Sequence, residues 1–175
     1  EPEIPSGLSL RCFLFSATQW SEIHRAYDSD VVSKWSGILI HDVYLVANDE
    51  FRGSEVVSRK IQSWMGSVFF PTLREGRFVL FTRRSALQAV DDLVDETKEL
   101  VLVVPKGALV AVSQCELPGE TEQLGMEEWQ LEDMRTDVLW WAHHKYPHGG
   151  KADTTDRARS VAWWPGVESD AADYV

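Results

Sequence analysis

A polar stretch at residues 116–125 (ELPGETEQLG) separates two different hydrophobic patterns. Before it, short β-branched and aromatic runs alternate with helical stripes. Beyond it, the apolar spacing is helical only. This change of period constrains the fold more than any other feature, because apolar residues spaced for one kind of element do not share a face in the other. It divides the chain into an α/β part at 1–115, a linker at 116–125 and a small all-α part at 126–175.

In the first part, residues 8–15, 36–41 and 43–47 read as strands. Residues 17–34 carry no firm pattern. Val56, Val57, Ile61, Trp64, Met65 and Val68 recur at three- and four-residue spacing, which predicts an amphipathic helix over 54–68 that Pro71 keeps from continuing. Residues 77–82 and 99–104 read as strands, 84–96 as a helix, and 108–113 as a candidate further strand. The resulting order is strand, strand, strand, helix, strand, helix, strand. A mixed sheet with helices against it gives that order, and an all-antiparallel sandwich does not, so the class is α/β (α+β). In the second part, Met126, Trp129, Met134, Val138 and Trp141 stripe one helix over 126–143, 152–162 a shorter one, and Val167, Ala171 and Tyr174 begin a third.

The 175 residues suffice for a core without a disulfide or metal staple. Seventeen Lys and Arg against 28 Asp and Glu leave a net charge of −11. That balance opposes non-specific binding to phosphate backbones, which is driven by cations displacing counterions. No apolar run is long enough to span a membrane. The first five residues lack the basic and apolar regions of a signal peptide. Cys12 and Cys115 form no disulfide framework, so a reducing, intracellular compartment is expected. Four of the eight tryptophans stand in two adjacent pairs, Trp140-Trp141 and Trp163-Trp164, and three of the five histidines lie between the pairs. The sequence stops at Tyr174-Val175 within a helical pattern, which is expected of a fragment.

His144 and His148 are separated by a three-residue spacer, with His143 adjacent as an alternate. Imidazoles so spaced can supply two ligands of a tetrahedral zinc site, and Gly149-Gly150 would let the backbone turn after the second. The bland alternative is a solvated histidine turn. The run continues with Thr154, Arg157, Arg159, Trp163-Trp164-Pro165-Gly166, Asp170 and Tyr174-Val175. In this it resembles the His-His-Cys-Cys zinc-binding domain of integrases from gypsy-type retroelements and retroviruses. The resemblance implies His144 and His148 as zinc ligands, with two cysteines following the position of Val175 in the complete parent. It also implies nucleic acid and integrase or reverse transcriptase subunits as partners, and a parent acting in cytoplasm and nucleus. Arg157 and Arg159 are the candidate phosphate contacts. Trp163 and Trp164 are expected to fill the core of so small a domain.

In gypsy-type polyproteins a ribonuclease H domain precedes the integrase, and the element order of residues 1–115 is similar to that fold. Residues 77–90 (RFVLFTRRSALQAV) and 10–18 (LRCFLFSAT) resemble two of its strands. Its chemistry needs clustered carboxylates holding two divalent cations. Ser16 and Arg83 stand where the family carries aspartates, and Glu55 alone matches the helix glutamate. A guanidinium repels a divalent cation, so no catalytic residue is assigned. The expectation is a retroelement polyprotein fragment: a ribonuclease-H-like domain without its catalytic site, followed by a truncated zinc-binding domain, acting in reverse transcription and DNA integration. A non-catalytic protein-interaction or scaffold module is the alternative of a different class, and a residual metal-dependent nuclease is the third.

Overall fold

The computed structural model describes residues 15–83, 100–111, 131–144 and 150–175. The strand expected at 8–15 (Phe15 apart), the helix at 84–96, the linker at 116–125 and His148 lie outside the described residues.

Helix α1 spans Ala17–Ser29, in the stretch that carries no firm sequence pattern. The Ser16 hydroxyl caps it by accepting from the Gln19 N–H at 3.2 Å. Trp20, Ile23, His24, Ala26 and Tyr27 form its buried face. Ser16 therefore caps a helix, and the match of residues 10–18 to a first strand fails from Ala17 onward. A hairpin follows, β1 (Lys34–Trp35) and β2 (Ile38–Leu39), with Lys34 opposite Leu39 and Trp35 opposite Ile38. Its two turn residues, Ser36 and Gly37, have φ of 55° and 81°, the left-handed pair that a two-residue hairpin turn requires.

The strand expected at 43–47 is instead helix α2, Ile40–Ala47. Ile40, Val43 and Tyr44 are its buried residues. Their spacing is helical, and the continuously apolar run hides that period from a reading of strand propensity. Helix α3 (Glu55–Trp64) is capped by Ser54, which accepts from the Val57 N–H at 3.3 Å. It stops short of the expected residue 68 because Phe69–Arg74 forms strand β3. Pro71 sits within that strand. It is tolerated there because β3 is the edge of its sheet.

Strand β4 (Arg77–Arg83) pairs antiparallel with β3, from Phe69 opposite Thr82 to Arg74 opposite Arg77. Glu75 and Gly76, at φ of 51° and 84°, make a second left-handed turn. Strand β5 (Leu100–Val103) pairs antiparallel with β4. Strand β6 (Leu109–Ala111) pairs with β7 (Leu131–Asp133), after which helix α4 runs Met134–His144. Helix α5 (Lys151–Arg159), strand β8 (Ala162–Trp163) and helix α6 (Val167–Tyr174) complete the described chain.

The all-α expectation for 126–175 is thus corrected at two places. Leu131–Asp133 pairs with β6. Ala162 and Trp163 pair parallel with Leu102 and Val103, so β8 closes the four-stranded sheet in the order β3-β4-β5-β8. Strands of two and three residues carry too little period for a sequence reading to detect. Met134, Val138 and Trp141 are buried on α4 as the stripe predicts. The mixed α+β class holds. The first described element is a helix, and the strand expected ahead of it lies, Phe15 apart, outside the described residues.

Buried apolar residues from both sides of residues 116–125 belong to one cluster. Trp35, Trp64, Phe69 and Trp163 meet in it edge to face, with Trp35 at 4.9 Å from Trp64 and 6.4 Å from Trp163. Aromatic rings of the hairpin, α3, β3 and β8 thereby share one contact group.

Tyr27 of α1 enters the sheet itself. The β4–β5 ladder runs from Arg83–Leu100 to Phe81–Leu102 and goes no further. At the next position the Tyr27 hydroxyl accepts from the Leu80 N–H at 3.1 Å and donates to the Val103 carbonyl at 2.6 Å. Its ring stacks on Tyr44 at 4.7 Å. Replacing Tyr27 by Phe keeps the ring and deletes the bridge between two buried backbone groups. Urea denaturation of Tyr27→Phe is expected to show a loss of about 2–3 kcal/mol, the cost of leaving such groups unsatisfied. A loss below about 0.5 kcal/mol would show that the strands re-pair directly.

Candidate functional site

The last turn of α4 carries the expected histidines. His144 is exposed and His143 half-buried. His143 Nδ1 lies 3.4 Å from the hydroxyl of Thr154, which is fully buried on α5. The two imidazole centroids are 4.8 Å apart at 72°. The Tyr174 ring, from the end of α6, sits edge-on to both, at 5.8 Å from His143 and 6.0 Å from His144. Trp140, one turn earlier, lies 5.3 Å from His144. Burial pushes the Tyr174 hydroxyl up from its ordinary value, with the Glu132 and Asp137 carboxylates acting in the same direction.

The candidate phosphate contacts hold the helices together. Arg157 donates from Nη1 to the Ala142 carbonyl at 2.9 Å, joining α5 to the end of α4. Arg159 is buried and pairs with Glu168 at 3.2 Å, joining α5 to α6. Trp164 is fully buried, and its indole N–H donates to Asp170 at 2.8 Å. Trp163 is buried in the sheet. Thr154, Arg157, Arg159, Trp164, Asp170 and Tyr174 thus each have an internal contact that orients the segment behind the histidines.

Of the positions compared with a nuclease centre, Ser16 caps α1, and Glu55 is exposed in the first turn of α3, 3.5 Å from Arg59. Arg83 lies at the end of β4 with its guanidinium 5.0 Å from the Phe70 ring. Each is engaged locally, in three different elements.

A structural zinc site needs four donors in tetrahedral geometry. Among the described residues no group of three or more His, Cys, Asp or Glu side chains is placed to hold a metal ion. The described donor set is two adjacent imidazoles, one of them turned toward Thr154. These residues do not by themselves fit zinc.

A second cluster, which the sequence reading missed, lies at the other end of α4. The Asp30 side chain is 1% exposed. It accepts from the N–H groups of Val32 at 3.2 Å, Ser33 at 3.1 Å and Lys106 at 2.8 Å. Arg135, in the first turn of α4, approaches it at 3.7 Å. The guanidinium donates to the Val104 carbonyl at 3.1 and 2.8 Å and to the Ser33 hydroxyl at 3.0 Å. Its carbon stands 5.4 Å from the Trp164 ring. Burial pushes Arg135 down from its ordinary value, while Asp30, Asp133 and Asp170 act against that shift. The one sequence signal was Asp30 two and three residues before the N–H groups it caps, a pattern common to many turns.

Residues 132–175 match the family model described as the integrase zinc-binding domain. The matched segment begins in β7 and ends with α6, and is well under half of the chain. No curated protein and no solved structure matches the chain.

Two outcomes follow from this geometry. Burial alone raises the Asp30 pKa, but the three backbone donors and the Ser33 hydroxyl more than offset it, so the folded value lies below the ordinary 3.8. An unfolded Asp30 takes up its proton first as pH falls. Its contribution is therefore complete above about pH 4 and is lost as pH falls toward the folded value. Asp30→Asn should cost about 3 kcal/mol at pH 7 by removing the buried charge that pairs with Arg135 and accepts from three backbone N–H groups, and the difference from the parent chain should shrink in acid melts. For the histidines, adding equimolar Zn²⁺ to this chain is expected to leave its melting temperature unchanged in both the parent and His144→Ala. A zinc-induced rise that His144→Ala abolishes would show that the remaining ligands assemble in solution.

Proposed function

We propose that this chain is part of a retroelement polyprotein of gypsy type, and that residues 132–175 act as the non-catalytic, helix-forming portion of its integrase zinc-binding domain. The observation that carries the reading is the family match over 132–175. The geometry supports it, because the residues of the motif hold α4, α5 and α6 together around the histidines. In this reading His144 and His148 are the imidazole half of a zinc site whose two thiolates come from further along the parent protein. Zinc would then fasten those helices, supplying folding energy rather than chemistry. The preceding residues hold the place of a ribonuclease-H-like domain, and the parent works inside the cell on reverse transcription and integration. No catalytic role is assigned to this chain.

A second reading is favoured by charge and by the arginines. Residues 126–175 contain five Lys and Arg against ten Asp and Glu. Arg157 and Arg159 are both engaged within the fold. A segment of this kind is better suited to docking against protein than to gripping a phosphate backbone. Within the parent this makes its partner another polyprotein subunit before a nucleic acid.

The test is the parent transcript together with a binding measurement. Sequencing past the codon for Val175 should reveal a Cys-x-x-Cys pair soon after it, then an acidic catalytic core. A reading frame that closes or continues without the pair would sink the integrase assignment. For the charge argument, fluorescence anisotropy with labelled duplex DNA at 0.15 M salt should give a dissociation constant weaker than about 100 μM, at or beyond the weak end of non-specific DNA binding. Micromolar binding lost in Arg157→Ala would restore the phosphate-contact role.

A further inference from the structure

An open cleft of about 870 Å³ lies where the residues after α1, the turn after β5 and the C-terminal helices meet. Its size is that of a small-molecule site, which spans about 300–1,000 Å³. Arg135 forms part of its wall, with Lys34 and Lys106 beside it.

The charged groups of the cleft are not equally free. Asp133 accepts from the Gly107 N–H at 3.1 Å and from the Arg135 N–H at 2.8 Å. Asp170 accepts from the Trp164 indole at 2.8 Å. Those carboxylates are partly satisfied by the fold, and Asp173, also in the lining, has no ion-pair partner among the described residues. The cations are the reverse. The ammonium groups of Lys34 and Lys106 have no ion-pair partner among the described residues. The Arg135 guanidinium spends Nε and Nη2 on Val104 and Ser33, while Nη1 makes no hydrogen bond among the described residues. Its hydrogen bonds to Val104 and Ser33 fix the group, with its carbon 5.4 Å from the Trp164 ring, so Nη1 is the edge left to meet an oxyanion. Gly166 adds the positive end of α6 to the same cleft. The rest of the lining is apolar in part: Val32 is 58% exposed there, with Leu139, Pro165 and Tyr174 nearby.

We propose that this cleft binds a small organic anion, an oxyanion group carried on an apolar body, through Lys34, Lys106 and the open edge of Arg135. The oxyanion meets the three cations, and the body lies against Val32, Leu139 and Tyr174. An extended polyanion is a poor fit, since Asp170 and Asp173 line the same wall and the chain carries −11 overall. None of the three cations belongs to the histidine pair, and Tyr174 is the residue that touches both places.

Isothermal titration of the full chain with phenyl phosphate, benzoate and inorganic phosphate tests this, the first two distinguishing a phosphate from a carboxylate source. One of the aromatic anions should bind about tenfold more tightly than inorganic phosphate, because only it fills the apolar wall. The double variant Lys34→Ala/Lys106→Ala should weaken that binding about tenfold or more, with the melting temperature unchanged because both side chains are exposed. Failure of all three probes to saturate at millimolar concentration would overturn the proposal. So would binding that ignores the double variant, or displacement of the bound anion by an oligonucleotide at lower concentration.

Discussion

A buried, hydrogen-bonded carboxylate joins the described parts of this molecule. Asp30 ends α1, binds the backbone of the next turn and of the turn after β5, and faces the guanidinium that opens α4. Three segments far apart in sequence therefore converge on one side chain. Burying an ion is unfavourable unless every lone pair is met, and here the donors come mostly from main chain, whose position the fold already fixes. Arg135 completes the arrangement by lying on Trp164. The indole core of the C-terminal helices and the cap of the first helix are thus joined through a single cation.

The same economy explains why the C-terminal motif looks functional in sequence and structural in space. Its arginines, threonine, aspartate and second tryptophan contact side chains or main chain within α4, α5 and α6 and the turn between them. What they position is the end of α4 with its imidazoles. A motif of this kind preserves a geometry on which a metal or partner can act. The chemistry has to be completed by groups that the described residues do not contain.

Legibility in the sequence followed the length and period of each element. The strand at 77–82 and the strand near 100 were readable as short β-branched and aromatic runs bounded by turn residues, and the buried face of α4 by its helical spacing. Residues 40–47 misled because every position but two is apolar or aromatic, so helix and strand templates both match. The strands Ala162–Trp163 and Leu131–Asp133 are too short to have a period, and their strand character comes from partners distant in sequence. The histidine pair was visible as spacing. The Asp30–Arg135 cluster was not, because its members are distant in sequence and belong to residue types that abound on every surface.

One consequence of the Tyr27 bridge concerns exchange of a sheet amide with solvent. The ladder between β4 and β5 stops one residue short of Leu80, and a helix hydroxyl takes the vacant place. A sheet normally protects its amides from exchange with solvent by pairing strand to strand. Here the Leu80 amide is guarded by a residue 53 positions earlier in the chain. Its exchange rate therefore reports how often α1 lifts from the sheet, because that amide is released only when the contact opens.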